Sequence, residues 1–387
     1  CSEKSDRGYE QVTKVRFNSF QGMLRFIFIL RFFFHLSLRI HESILLPMCR
    51  RLVFVCVLIL LGTGCAEESH SHHPSRAFYY WKTVFNLSPQ QNAALSELNV
   101  RKIYLKFFDV QLNDSLKPVP VATIRFDSTV PAGIEIVPVV YITNKTMLQI
   151  SKIEVVDLSH KIHTRIMKLV PKGISFREVQ IDCDWSEQSM DNYFFLLREL
   201  KKNFSGILIA STIRLHQVKY YRRSGVPPVD RGMLMFYNMG SLMDPSTRNS
   251  IFDKEVAKRY LHNFDEYPLK LDVALPVFSW AVLSREGKGV KLINGFSIDE
   301  ASAGRLEPVK ANTYLVKEKF SCRGSEFLPG DMLRFENIGP AETEEAARLI
   351  LPHLKTDSLS VALFDLNDST IKNYTTHDFE EIFSIFN

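Results

Sequence analysis

Cysteine, tryptophan and glycine are all scarce in these 387 residues, at six, three and 17 copies. So few cysteines exclude a disulfide scaffold, which needs dense and paired thiols. Cys1, Cys49, Cys56 and Cys65 crowd into the first 65 residues, leaving only Cys183 and Cys322 in the body of the chain. These allow one disulfide at most, and Cys183, on the apolar face of its segment, reads as a small core residue. No CxxC pair and no zinc spacing occurs. A phosphate loop, a dinucleotide fingerprint, a Gly-x-Ser-x-Gly elbow and a His-Glu-x-x-His helix are also missing. ATP, NAD, zinc and serine-hydrolase chemistry therefore have no support, and neither a cofactor nor a metal is expected.

The chain also lacks a surplus of charge where it matters. Its net charge is +5, but residues 1–65 hold nine of the 48 Lys/Arg and four of the 43 Asp/Glu. The remainder carries 39 of each and is formally neutral. Nucleic-acid binding needs a basic surface, so no nucleic-acid partner is expected.

What the first 65 residues do contain is a leader. Residues 1–47, with the aromatic run 27–36 broken by Arg31, read as sequence upstream of a true start at Met48. From there Arg50 and Arg51 form a basic n-region, residues 52–61 an apolar core, and Gly62-Thr63-Gly64-Cys65 a small-residue cleavage site. An apolar run of ten is too short for a stable membrane span. The site resembles a bacterial lipobox, with Gly62 where leucine is usual. The resemblance implies cleavage before Cys65, a lipid on its sulfur, and a place in the bacterial cell envelope, on the periplasmic or the surface face. A plain secretory signal or an N-terminal anchor fits the same residues. Residues 66–76, polar and without periodicity, read as a flexible tether; Glu67-Glu68 resembles surface-export signals of some Bacteroidetes lipoproteins.

From residue 77 onward, apolar β-rich runs alternate with helical periodicity. Strands are expected over 77–84, 102–109, 135–142, 178–185, 206–214, 231–237, 270–280 and 360–366. Helices are expected over 88–98, 146–163, 189–203, 218–224, 249–263, 343–354 and 376–386. Eight strand–helix units argue for an α/β fold, a closed (β/α)8 TIM barrel, with an insertion at 284–340 between strands seven and eight. In that insertion Glu286-Gly287-Lys288-Gly289 signals a hairpin turn and 328–332 another. Its apolar content favours an excursion over one side of the barrel mouth rather than a separate domain.

A barrel works at the C-terminal ends of its strands. Those ends collect Trp81, Lys106, Asp109, Asp182, Asp184, Trp185, Glu187, Arg214, Tyr237, Asn238, Trp280 and Asp365. Aromatic faces stack on sugar C–H faces while amides and carboxylates bind hydroxyls, so the mixture suits a glycan. All three tryptophans fall at expected strand ends; Tyr79 and Phe278 read as packing. The chain centres on 178–187, EVQIDCDWSE, where alternation puts Val179 and Ile181 on one face and Gln180, Asp182 and Asp184 on the other. Paired acids there mark either a site at the barrel mouth or a structural pair at a strand–loop junction.

The run IDCDWS at 181–186 resembles the DxxDxDxE signature of family-eighteen glycoside hydrolases, the chitinases and endo-N-acetylglucosaminidases. Met235, Tyr237 and Asn238 resemble the family's M-x-Y-D, and Trp280 its barrel-floor tryptophan. Asp182 and Asp184 match the second and third Asp of the signature. Val179 replaces the first, Ser186 stands where the acidic Glu belongs, and Asn238 replaces the last Asp. The resemblance implies a TIM barrel that acts on or binds a glycan, with Asp184, Asp182 and Glu187 as catalytic candidates. Asp109 or Asp365 is an alternative proton donor. Because a serine hydroxyl cannot protonate a leaving group at neutral pH, a catalytically inactive glycan-binding or structural envelope protein is the competing reading.

Overall fold

The computed structural model describes residues 74–387 apart from 245, 263, 297, 299–303, 356 and 357. Eight parallel strands neighbour one another in chain order: β1 (Ser75–Tyr80), β2 (Lys102–Leu112), β3 (Glu135–Ile142), β4 (Glu178–Asp182), β5 (Leu208–Arg214), β6 (Arg231–Met235), β7 (Leu271–Pro276) and β8 (Ser360–Phe364). β1 pairs with both β2 and β8, which closes the barrel. The leader and Cys65 lie outside the described residues. The expected tether is shorter than 66–76, because Ser75 and Arg76 already belong to β1. Arg76 is held there by the Glu380 carboxylate at 2.5 and 2.7 Å and by the Leu98 carbonyl at 3.0 Å.

β4 shows how the sequence sets the interior. All five of its residues are buried, and its inward-facing side chains are polar. At the N-terminal end, the Glu178 carboxylate accepts from Lys102 Nζ of β2 at 2.9 Å. In the middle, Gln180 Oε1 accepts from the Tyr79 hydroxyl of β1 at 2.6 Å. At the C-terminal end, Asp182 Oδ1 accepts from the Thr212 hydroxyl of β5 at 2.7 Å. Val179 and Ile181 point outward into the apolar layer beneath the helices, with Cys183 beyond the strand end and also buried. Cys183 and Cys322 are both free thiols.

β2 carries an irregularity that bears on the site. Lys106 pairs with Val139 and Phe108 with Val140, so Phe107 is an extra residue. This bulge resets the two-residue alternation. Lys106 and Asp109, which a regular strand would send to opposite faces, both point toward the barrel mouth. Phe108 is left outside, under the Arg165 guanidinium at 5.4 Å.

The helix expected over 146–163 is two, Asn144–Gln149 and Lys152–Leu169. Ser151 breaks it by forming a capping box: Glu154 N–H donates to its hydroxyl, and its own N–H donates to the Glu154 carboxylate at 2.9 Å. The strand expected over 270–280 is likewise divided. β7 stops at Pro276, and after Val277 and Phe278 a new strand, Ser279–Arg285, leaves the barrel.

That strand begins the insertion, an antiparallel sheet of five strands with a two-stranded hairpin beside it. Its first turn has Glu286 and Gly287 at φ 51° and 65°, the left-handed pair that a two-residue hairpin requires. Alternation gives the sheet two apolar faces. Trp280 and Val282 join the barrel's core. Ala281, Leu283, Ile293, Phe296, Phe327 and Leu333 build a second core of their own. Stacked rings, with Phe320 on Phe327 at 4.3 Å, supply much of its burial.

Burial pushes the Glu178 carboxyl up, with Lys102 opposing it. A carboxyl raised in the folded state stabilises below its unfolded value and loses that contribution as pH rises. Lys102→Met should therefore cost about 3 kcal/mol at neutral pH, with part of it recovered toward about pH 4 as Glu178 takes up a proton. Denaturant melts across that range measure this, and a pH-independent loss would contradict it.

Candidate functional site

A cavity of about 420 Å³ opens at the C-terminal ends of the strands. Its floor is aromatic. The Phe364 ring of β8 lies 5.3 to 5.7 Å from those of Tyr79, Trp81, Tyr237 and Phe278. Trp81 leaves β1 at the rim of this cluster, and the Lys106 ammonium sits 5.6 Å from its ring centroid. The inserted sheet supplies the opposite wall through Trp280, Leu292, Asn294 and Gly295.

Four carboxylates line the cavity: Asp109, Asp182, Asp184 and Asp365. Each has a different environment. Asp184 lies just past the end of β4 and is gripped by the Arg214 guanidinium, with Nε at 2.5 Å and Nη2 at 3.4 Å. Burial pulls Arg214 down, but Asp184 and Asp182 more than offset this and hold it above its usual value. Asp182 is buried, and burial raises its carboxyl; Arg214 opposes that shift and Asp184 adds to it. Asp365 is raised by burial as well, against a 2.5 Å hydrogen bond from Asn367 Nδ2 and the charge of Lys82. Asp109 pairs with Lys106 at 3.1 Å through Oδ2, while its buried Oδ1 has no hydrogen-bond partner.

Two phenols complete the set. Tyr141 is pushed up to about 12 by burial and by Asp182 and Asp184. Tyr237, beside Asn238, is raised further by burial, with Asp182 and Asp365 adding to the shift. Its hydroxyl makes a 3.0 Å contact with Met235 Sδ. Asn238 has φ 56°, a left-handed conformation that asparagine tolerates better than most residues. The turn it makes lets its N–H reach the Ile251 carbonyl at 2.8 Å.

The fold thus brings Asp182, Asp184, Asp109, Arg214, Tyr237, Asn238, Asp365, Trp81 and Trp280 to one cavity. Three expectations fail. Trp185 is no sugar platform: it is buried, stacked on Tyr193 at 5.3 Å, and donates from Nε1 to the Ser224 carbonyl at 2.8 Å. Glu187 does not line the cavity and forms an ion pair with Arg223. Regular alternation sets Trp185 and Glu187 with Val179 and Ile181, away from Asp182 and Asp184, and the turn that follows Asp182 and enters helix Met190–Asn203 does not carry them round to the cavity. Ser186 belongs to that turn and accepts from Met190 N–H at 2.9 Å. Finally, Trp280 is not a barrel-floor residue. It stands on the inserted sheet, and Phe364 occupies the floor.

Phe364, Asn294, Gly295 and Ser369 escaped the sequence reading. Phe364 directly precedes an acid at a strand end, a usable signal for a mouth residue. The others depend on how the insertion folds back, which no local pattern encodes.

No family model matches this chain, and no curated protein does. Solved structures do. The C-terminal domain of a candidate chitinase from Desulfitobacterium hafniense DCB-2 superposes over 81% of this chain and 100% of its own, with TM-score 0.50 and 10% identity. The chain has a family-eighteen-like fold. The spore cortex-lytic enzyme SleL of Bacillus cereus covers 81% of this chain and 74% of its own at 12% identity and TM-score 0.46. A chitinase from Chromobacterium violaceum covers 78% and 97% at 10% identity and TM-score 0.46. At these identities the likeness is one of fold.

If Arg214 couples the acids of this family-eighteen-like barrel as described, Arg214→Met should move the Tyr141 phenol upward from about 12, because the cation that opposes Asp182 and Asp184 is gone. A 13C-tyrosine NMR titration reads this directly, and an unmoved Tyr141 would separate Arg214 from the cleft's charge network.

Proposed function

We propose that the cleft binds a glycan chain and does not carry out the acetamido-assisted hydrolysis that the family-eighteen resemblance implies. The observation that carries this reading is the Arg214–Asp184 pair, together with Ser186 in the place of the acid. A carboxylate that orients and stabilises a reacting acetamido group has to be available to it. Here its charge is already met by a guanidinium. The position of the proton donor is held by a serine drawn into a helix start, and a hydroxyl is too weak an acid to protonate a leaving group at neutral pH. What is retained is a ring-lined cavity with carboxylates and amides at its edge, the chemistry that holds sugar rings by their C–H faces and hydroxyls.

One observation favours hydrolysis by a different pair. Asp365, just past the end of β8, and Asp182, at the end of β4, stand on opposite sides of the barrel, and both are raised by burial. A raised carboxyl can act as a general acid, and glycoside hydrolysis uses two carboxyl groups. Asp365 would donate the proton and Asp182, screened less than Asp184, would face the anomeric carbon.

The two readings part on a single set of measurements. The purified chain should bind N-acetylchitooligosaccharides or a related glycan in calorimetry, and Trp81→Ala should weaken that binding about tenfold, or about 1.4 kcal/mol. It should leave a panel of fluorogenic glycosides intact. Hydrolysis that disappears in Asp365→Asn would establish the second reading, and the absence of any glycan binding would sink both.

We further propose, from the leader alone, that a lipid on Cys65 holds the protein at the bacterial envelope. Cys65→Ser should abolish incorporation of an alkyne-labelled fatty acid and release the chain from the membrane fraction. Labelling that persists in Cys65→Ser would refute it.

A further inference from the structure

We infer that Glu336 is a positioning residue that sets the Trp280 wall of the cleft; this rests on the glycan-binding reading for its ligand but not for its geometry. Trp280 and Glu336 are cross-strand partners in the inserted sheet, so their side chains share one face. That face meets the barrel. The Glu336 carboxylate is buried and collects four donors: Arg334 Nε at 2.6 Å, Trp280 Nε1 at 2.8 Å, Ser250 N–H at 2.9 Å and the Ser250 hydroxyl. Of these, Arg334 balances its charge. The other three tie together two pieces of the cleft that are distant in sequence.

The first piece is the Trp280 indole. Its N–H would otherwise be an orphan in a buried place, and a buried donor without a partner costs about 1–3 kcal/mol. The carboxylate removes that cost in one ring orientation only. In that orientation the ring packs edge-on against Phe278 at 5.2 Å and presents its remaining surface to the cavity. The second piece is the loop after β6. Ser250 and Ile251 accept from the N–H groups of Gly240 and Asn238 at 3.1 and 2.8 Å, so anchoring Ser250 fixes the segment that carries Asn238. Arg334 reinforces the anchor by donating to the Asp244 and Leu242 carbonyls at 3.2 and 3.3 Å. A single carboxylate therefore decides where the tryptophan wall and the asparagine wall stand relative to each other.

Glu336→Gln is the informative change, since it keeps the shape and one acceptor but not the charge that gathers four donors. In protein labelled with 5-fluorotryptophan, the Trp280 resonance, assigned by its loss in Trp280→Phe, should shift and broaden. The Trp185 resonance should stay in place. An unmoved Trp280 resonance, or an equal change in all three, would overturn the assignment without any ligand being present. With N-acetylchitohexaose as probe, Glu336→Gln should weaken binding about tenfold in the parent but less than about twofold once Trp280 is Phe, since the two then act through one contact. Equal losses in both backgrounds would mean that Glu336 works through the Ser250 loop alone and would overturn the inference. Should Glu336→Gln fail to fold, Ser250→Ala removes one donor and should move the Trp280 resonance in the same direction by less; no movement would again overturn it. If the parent binds no chitohexaose, the glycan reading loses its support while the fluorine spectra still judge the role of Glu336.

Discussion

Three polar side chains stacked along one strand, Glu178, Gln180 and Asp182, are the constraint on which the rest of this barrel depends. Each is buried, and a buried polar group without a partner costs about 1–3 kcal/mol, more when charged. Each therefore demands a neighbour at its own height in the barrel. Lys102, Tyr79 and Thr212 supply them from β2, β1 and β5. Making these three contacts at once, with Gln180 Nε2 left without a partner, leaves little freedom in how those strands slide past one another. The apolar layer outside pulls the strands together without direction, while the polar column inside fixes their register. Its uppermost member, Asp182, is also part of the cleft, so the element that organises the core and the element that lines the site are one strand.

At the cleft, electrostatics distinguish acids that look alike in sequence. Asp184 and Asp109 are each paired with a cation, Arg214 and Lys106. Asp182 and Asp365 are shielded by burial and by neutral hydrogen-bond donors, Thr212 and Asn367, with Arg214 and Lys82 acting on them by charge alone. The cavity thus holds two ion pairs and two carboxyls shifted toward their protonated form, above a floor of aromatic rings. Such a surface offers little net charge to an approaching ligand and many directional contacts, which favours an uncharged polyhydroxylated chain over an anion.

The barrel was legible in the sequence because strand and helix periods differ and because eight apolar β-rich runs alternate with helical ones. The line of acids at the mouth was legible for the same reason, since Asp182, Arg214, Tyr237 and Asp365 all sit at the last turns of clear periodic runs. The failures lie at strand ends. Trp185 and Glu187 share the parity of Val179 and Ile181, so only a turn could have carried them to the mouth, while Trp280 lies beyond the end of β7 on a strand of its own. Ser151 shows the converse, a boundary marked by the capping-box pair Ser151 and Glu154 but crossed by the single helix expected over 146–163. Gly295 and Asn294 reach the cleft only because a sheet with two apolar faces docks one of them on the barrel, and that is a property of assembly rather than of any short segment.

The bulge at Phe107 has a consequence for how such a cleft diversifies. Lys106 and Asp109 are three residues apart, an odd interval that the surplus residue reconciles with a place on one wall. Loss of that residue would leave both on the same wall, two residues apart in a regular ladder, whereas regular pairing of the full-length strand would turn Asp109 outward and Phe108 inward. A bulge within a barrel strand thus lets an insertion or a deletion pass without turning the side chains beyond it to the other face.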